Sequence, residues 1–203
     1  MSAKTADGAE EQANFNRVAG LNEAAKELVA RSYQVNLLAL DAMVQSKRGG
    51  SSLRGFDEVS SQMRRWSRDL HVELERLAAL SRRVVGEVST ASKDAHLLRL
   101  LQRAADSSSN PVATQAFAAR RAIQLDHEQG LARLWREVSD VLGDLDQLGM
   151  MAVVLSRSAM IEAASGAAEQ RAQLGYVSQE FYRNSETVVN VLKTALKEQR
   201  QGQ

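Results

Sequence analysis

Leu21, Leu28, Val35 and Ala42 recur every seven residues, and the small residues Ala25, Ser32, Ala39 and Ser46 keep the same period beside them. A seven-residue apolar repeat held this long asks for a coiled-coil-like seam, because it keeps one helix face against a partner over many turns. The pattern continues down the chain. A stripe runs from Phe56 through Val59, Met63, Trp66, Leu70, Leu74, Leu77, Val84, Val88, Ala91 and Ala95 to Leu98, stepping mainly by three and four. Leu131, Val138, Leu145, Ala152 and Ala159 form one later column, and Leu134, Val141, Leu148 and Leu155 another. Leu174, Phe181, Val188 and Ala195, with Val177 and Val191, form the last. With 4% aromatic residues and a single proline in 203 residues, the composition favours long helices.

The breaks between these columns are as informative as the columns. Lys47-Arg48-Gly49-Gly50-Ser51-Ser52 separates the first two. Glycine reaches backbone angles closed to residues with a Cβ, so a bend is predicted near Gly49–Leu53. Asp106-Ser107-Ser108-Ser109-Asn110-Pro111 is the clearest break; Asn110 suits an N-cap and Pro111 the first helical position. Four helices follow, from about Ala13 to Arg48, Arg54 to Ala105, Pro111 to Ser165 and Glu169 to Lys197. The expected fold is all-α: a long antiparallel coiled-coil four-helix bundle made of two tandem helical hairpins. Residues 1–13 read as a flexible N-terminal tail. The first hairpin takes 14–106 with its tip at about 48–54, the connecting loop 107–111, and the second hairpin 112–203 with its tip at about 165–171.

The second half echoes the first. Asp41–Gly49 aligns with Ser158–Gly166 at an offset of 117, and Glu58–Met63 aligns with Tyr176–Phe181 at 118. The second turn therefore holds one more residue. The two middle helices are longer than the outer two, so both tips are expected at one end, with a two-helix stalk at the other.

Asn36, Leu37, Leu38, Ala39, Leu40, Ala42, Arg48, Gly50, Arg54, Gly55, Phe56, Val59 and Arg64 give this chain the pattern NLLAL…RGF around its first bend. In that stretch of about thirty residues the chain resembles the hairpin tip of the cytoplasmic signalling domain of bacterial chemoreceptors, the methyl-accepting chemotaxis proteins. Ile161-Glu162-Ala163-Ala164 resembles part of the same tip, so the second hairpin reads as a degenerate copy. The resemblance implies a cytoplasmic signalling or adaptor protein, non-enzymatic, that binds a chemosensory histidine kinase, its coupling protein or receptor tips. It implies protein-binding roles for Asn36, Leu37, Leu40, Asp41, Val44, Arg48, Arg54, Phe56 and Val59, and turn roles for Gly49, Gly50 and Gly55. Tyr33 and Gln45 also match residues that join receptor dimers into trimers. Asp41, Gln45, Ser51, Leu53 and the Asp57-Glu58 pair depart from the family pattern. Glu58 stands where receptors carry valine, and a carboxylate buried there without a partner would cost several kcal/mol, on the order of any unpaired buried charge.

Other chemistry finds less support. Net charge is +1, from 26 basic and 25 acidic residues, which gives no basis for nucleic-acid binding. There is no cysteine, and His71, His96 and His127 are scattered with no metal-ligand spacing, so no metal or cofactor is expected. The longest strongly apolar run, Met150–Leu155, is far shorter than the ~20 residues a membrane helix needs, and the polar start does not read as a signal peptide. A cytoplasmic protein without membrane insertion is expected, either as a monomer whose bundle is intramolecular or as a homodimer. Two alternatives stand beside the adaptor. One is a coiled-coil scaffold for a non-chemosensory partner. The other is a response-regulator phosphatase, since Asp41 and Gln45 match the Asp-x-x-x-Gln spacing of the four-helix chemotaxis phosphatases; such a pair also arises by chance on a polar helix face. Lys47, Arg48, Arg54, Arg64, Arg65 and Arg68 outnumber their acidic neighbours Asp57, Glu58 and Asp69, which suits either a solvated face or an acidic partner.

Overall fold

The computed structural model describes residues 3–49, 53–107, 111–166 and 168–201. Four long helices account for nearly all of them: α1 (Ala3–Gly49), α2 (Arg54–Ser107), α3 (Pro111–Ser165) and α4 (Ala168–Gln201). The all-α bundle read from the heptads is the fold. Each helix packs against two neighbours in the ring α1–α2–α3–α4, so α1 stands diagonally across from α3 and α2 from α4. With 54 residues, α2 is roughly 80 Å long at the usual rise per residue.

Three boundaries differ from expectation. α1 begins at Ala3 rather than near Ala13, so the expected tail is helical. Its alanines, glutamates and glutamine favour helix by intrinsic propensity, which needs no apolar face. The second bend is tighter than 165–171, because α4 already starts at Ala168. α2 carries on to Ser107, and α3 opens on Pro111 as its fixed φ allows; of the expected connecting loop 107–111, residues 108–110 lie outside the described residues.

The core follows the heptads. From α1 it takes Val18, Leu21, Ala25, Leu28, Val35, Ala39 and Ala42, and from α2 Phe56, Met63, Trp66, Leu70, Leu74 and Leu77. α3 adds Trp135, Val138, Leu142, Leu145, Ala152 and Ala159, and α4 adds Leu174, Phe181, Val188, Leu192 and Ala195. Burial repeats at the offsets seen in the sequence. Every buried position of α1 from Val18 to Ser46 has a buried counterpart 117 residues later in α3. From Phe56 to Leu77 the same holds for α2 and α4 at 118, with Phe56, Met63, Leu70, Leu74 and Leu77 answered by Leu174, Phe181, Val188, Leu192 and Ala195. Even polar details recur: Ser60 donates to Phe56 O at 2.7 Å, and its counterpart Ser178 donates to Leu174 O at 2.7 Å. The two hairpins are structural equivalents.

Small residues let the helices approach. Ser32 and Ser67 face each other between α1 and α2, Ser67 Oγ donating to Ser32 O at 2.7 Å and Ser32 Oγ to Ser67 O at 3.0 Å. Each buried hydroxyl thus has a partner on the opposing helix, which removes the cost of burying it. Gly149, the counterpart of Ser32, lies against α4 so closely that a Cβ there would meet Leu192 Cδ1 at 3.2 Å and Val189 Cγ2 at 3.3 Å. Gly149→Val is therefore expected to destabilise by about 1–3 kcal/mol through overpacking, read from the midpoint of urea unfolding.

Away from the tips the bundle closes with a polar layer. Arg17 stacks over Trp135 at 4.0 Å and donates to Gln199 O at 3.2 Å; burial pulls its guanidinium below the ordinary arginine value. Gln199 Nε2 in turn reaches Trp135 O at 3.4 Å. Beyond this layer α1 continues back to Ala3, α2 runs on to Ser107 and α3 starts at Pro111, and α3 buries no described residue before Leu134. Polar contacts join α2 to α3 here beside the buried Val84, Val88 and Leu98: Arg83 pairs with Glu137 at 3.2 Å and Arg120 with Asp94, and the His127 ring lies 3.0 Å from the Glu87 carboxylate and 3.4 Å from that of Asp94.

One eighteen-residue stretch of α3 has a mean hydropathy of 1.3 and is long and apolar enough by composition to cross a membrane, although its longest unbroken apolar run is short. In the bundle this stretch is split. Gly149, Ala152, Ser156, Ala159 and Ala163 face the core, while Met150, Met151, Val154, Met160 and Ile161 face outward.

Candidate protein-docking site at the paired tips

The two tips meet at one end of the bundle. Leu53, the last residue before α2, is 2% exposed, and a Cβ on Gly166 of the second tip would lie 3.3 Å from its Cδ2. Leu53 thus plugs the end of the core. Gly55 lies in the first turn of α2 and not in the bend, so its expected turn role is corrected. Its lack of a side chain makes room for the Glu162 carboxylate, which would collide with a Cβ there. Gly49 ends α1, and the Gly50 expected beside it lies outside the described residues.

Phe56 and Val59 do not belong to a docking surface. Phe56 is fully buried and Val59 nearly so. The three-and-four stepping of α2 explains both: Phe56 opens the stripe that continues through Met63 and Leu70, and that stripe faces the core. Likeness to a receptor tip marks which residue stands at a position, whereas the helix period decides which way it points.

The remaining site residues do come to the surface. Leu37 and Val44 are 48% and 51% exposed on α1, Asn36 and Leu40 are half-buried beside them, and Tyr33 extends the stripe away from the tip. Leu37, Leu38 and Asp41 also line a groove of about 520 Å³ whose other wall is α4, through Tyr176, Glu180 and Asn184. Asp41 is exposed and accepts a hydrogen bond from Gln45 Nε2 at 2.8 Å, so the two polar residues that the phosphatase reading needs are bonded to each other.

The tip's charges are unevenly used. Asp57 accepts from Ser46 Oγ at 2.9 Å, tying the end of α1 to the start of α2. Glu58 points into solvent and takes Gln62 Nε2 at 2.9 Å and Arg65 at 3.2 Å. The Gln62 hydrogen bond, with the Arg65 charge behind it, holds its carboxyl below the usual range. No burial cost arises at Glu58, whose side chain is exposed. Lys47, Arg48, Arg54, Arg64 and Arg68 are exposed, and none forms an ion pair with a described residue. Apolar side chains flanked by unneutralised cations suit an acidic protein surface with an apolar centre.

Three features escaped sequence reasoning. Leu53 read as a turn residue, Glu162 read as a family match with no contact attached, and the outward residues of α3 read as an apolar run. The offset of 117 was the available signal for the last, since it carries Tyr33, Leu37 and Val44 onto Met150, Val154 and Ile161. No family model, curated protein or solved structure matches the chain.

Proposed function

We propose that this protein is a cytoplasmic, non-enzymatic adaptor of a bacterial chemosensory system, docking through the α1 end of its tip. Its partners in this reading are the chemosensory histidine kinase, the coupling protein that joins it to receptors, or receptor tips. The observation that carries the reading is the coincidence, at one end of the bundle, of the receptor-like sequence with a free surface. Leu37 and Val44 stand exposed there, and neither Arg48 nor Arg54 forms an ion pair with a described residue. Leu37, Leu40 and Val44 would supply the apolar contact, and Arg48 and Arg54 would steer and orient an acidic partner. Phe56 and Val59 act indirectly, by holding the start of α2 in place.

Calorimetric titration with the kinase and coupling protein of the same cell tests this. Wild-type protein is expected to bind, and the double variant Arg48→Glu/Arg54→Glu, with unchanged helicity, to bind at least about tenfold more weakly, each reversed charge at such a rim costing on the order of 1 kcal/mol. A folded wild-type protein that binds neither component overturns the reading.

A further inference from the structure

The outward stripe of α3 has no role in the proposed docking, yet it is the structural counterpart of the α1 stripe. Met150, Val154 and Ile161 stand 117 residues after Tyr33, Leu37 and Val44, and all six are exposed. Val154 and Ile161, at 62% and 67%, are more exposed than most large apolar residues of a soluble bundle would be. Because α1 and α3 stand diagonally across the ring, the two stripes look out on opposite sides. Both helices run toward the tips.

We propose that the α3 stripe is a self-association surface whose occupant is the α1 stripe of a second copy of this chain, packed in parallel with all tips at the same end. Aligned in parallel at equivalent depth, Leu37 and Val44 of one copy meet Val154 and Ile161 of the next. Asp41, between them, and Arg48, one turn beyond Val44, fall opposite the small Ser158 and Ser165. The charges then complement at the centre of the contact, where the exposed Asp41 comes near the exposed Arg157. Like stripes fit worse. Two α1 stripes in parallel set Asp41 against Asp41 and Arg48 against Arg48, while two α3 stripes face serine with serine and bring Arg157 beside its own copy. Antiparallel pairing through the tip residues overlaps only the last turns and strands Tyr33 and Leu37. Unlike surfaces on opposite faces do not close on themselves, so the product is an open row rather than a dimer.

The association does not rest on the chemosensory reading, and its test contains no chemosensory component. Sedimentation velocity of the full chain is run at rising concentration, beside Leu37→Glu and Val154→Glu, both at exposed sites and checked for wild-type helicity. Wild-type mass is expected to climb above the 22.3 kDa of one chain without a plateau at two chains. Each variant alone is expected to stay at one chain. An equimolar mixture of the variants is expected to stop at two, because Leu37→Glu keeps an intact α3 stripe and Val154→Glu an intact α1 stripe. A wild-type chain that stays single at all concentrations overturns the proposal. So does a variant that still self-associates, or a mixture that does not.

Discussion

Replacing Trp66 with alanine is expected to cost about 3–5 kcal/mol of stability, the largest effect of any single core truncation in the bundle. Trp66 is 1% exposed and is the largest fully buried side chain, set where α2 faces α3. Its indole Nε1 donates to Leu148 O at 2.7 Å, so the ring is fixed at both its apolar body and its polar edge. The opposite half cannot compensate: the structural counterpart of Trp66 is Asn184, which spends its amide on Glu180 O of its own helix at 2.8 Å. Urea unfolding followed by circular dichroism gives the loss, which at this chain length lowers the melting temperature by on the order of 10 °C. Trp66→Phe keeps most of the volume and removes the donor, so it separates packing from the hydrogen bond, worth about 1 kcal/mol. A loss below about 1 kcal/mol for Trp66→Ala would mean that the helices collapse into the space instead of leaving a cavity.

The second large effect is expected in the stalk. Asp94 is 3% exposed and is held by Arg120, with His127 Nε2 at 3.4 Å. Arg120→Met leaves the carboxylate buried without its principal counter-charge and is expected to cost about 3 kcal/mol. The loss is read as faster amide hydrogen exchange along the stalk segments of α2 and α3, with the tips little changed. Adding Asp94→Leu to Arg120→Met is expected to recover most of that loss, because an apolar pair carries no desolvation penalty. If the double variant is as unstable as the single one, Asp94 has a further structural partner that the ion pair conceals.

How much of this could be read beforehand depends on what kind of signal each residue sends. The heptads and the breaks at Gly49 and Pro111 located the helices, because period and backbone chemistry are local properties. The stripe on α2 already placed Phe56 and Val59 in the core. Treating them as docking residues gave weight to likeness over period, and the structure sides with period. The helix through residues 3–13 was hidden because it lacks an apolar face, which is the signal the heptad criterion looks for. Leu53 and Glu162 were illegible for another reason. Their contacts join the first tip to the second, across more than a hundred residues of sequence, and no local pattern carries such a pairing.

The equivalence of the two hairpins has a consequence for how this molecule can change. When such a bundle is assembled from two identical chains, any substitution appears twice, and the assembly dissolves on dilution. Here both halves travel in one polypeptide, so each faces its counterpart at a high effective concentration whatever the concentration of the protein. The four-helix core is complete within one chain, so forming it needs no encounter between chains. Every molecule also carries one of each half in fixed stoichiometry. The halves are therefore free to specialise: one can hold Trp66 while the other holds Asn184, and one tip can keep Arg54 where the other has Ala172, without either change being imposed on both sides.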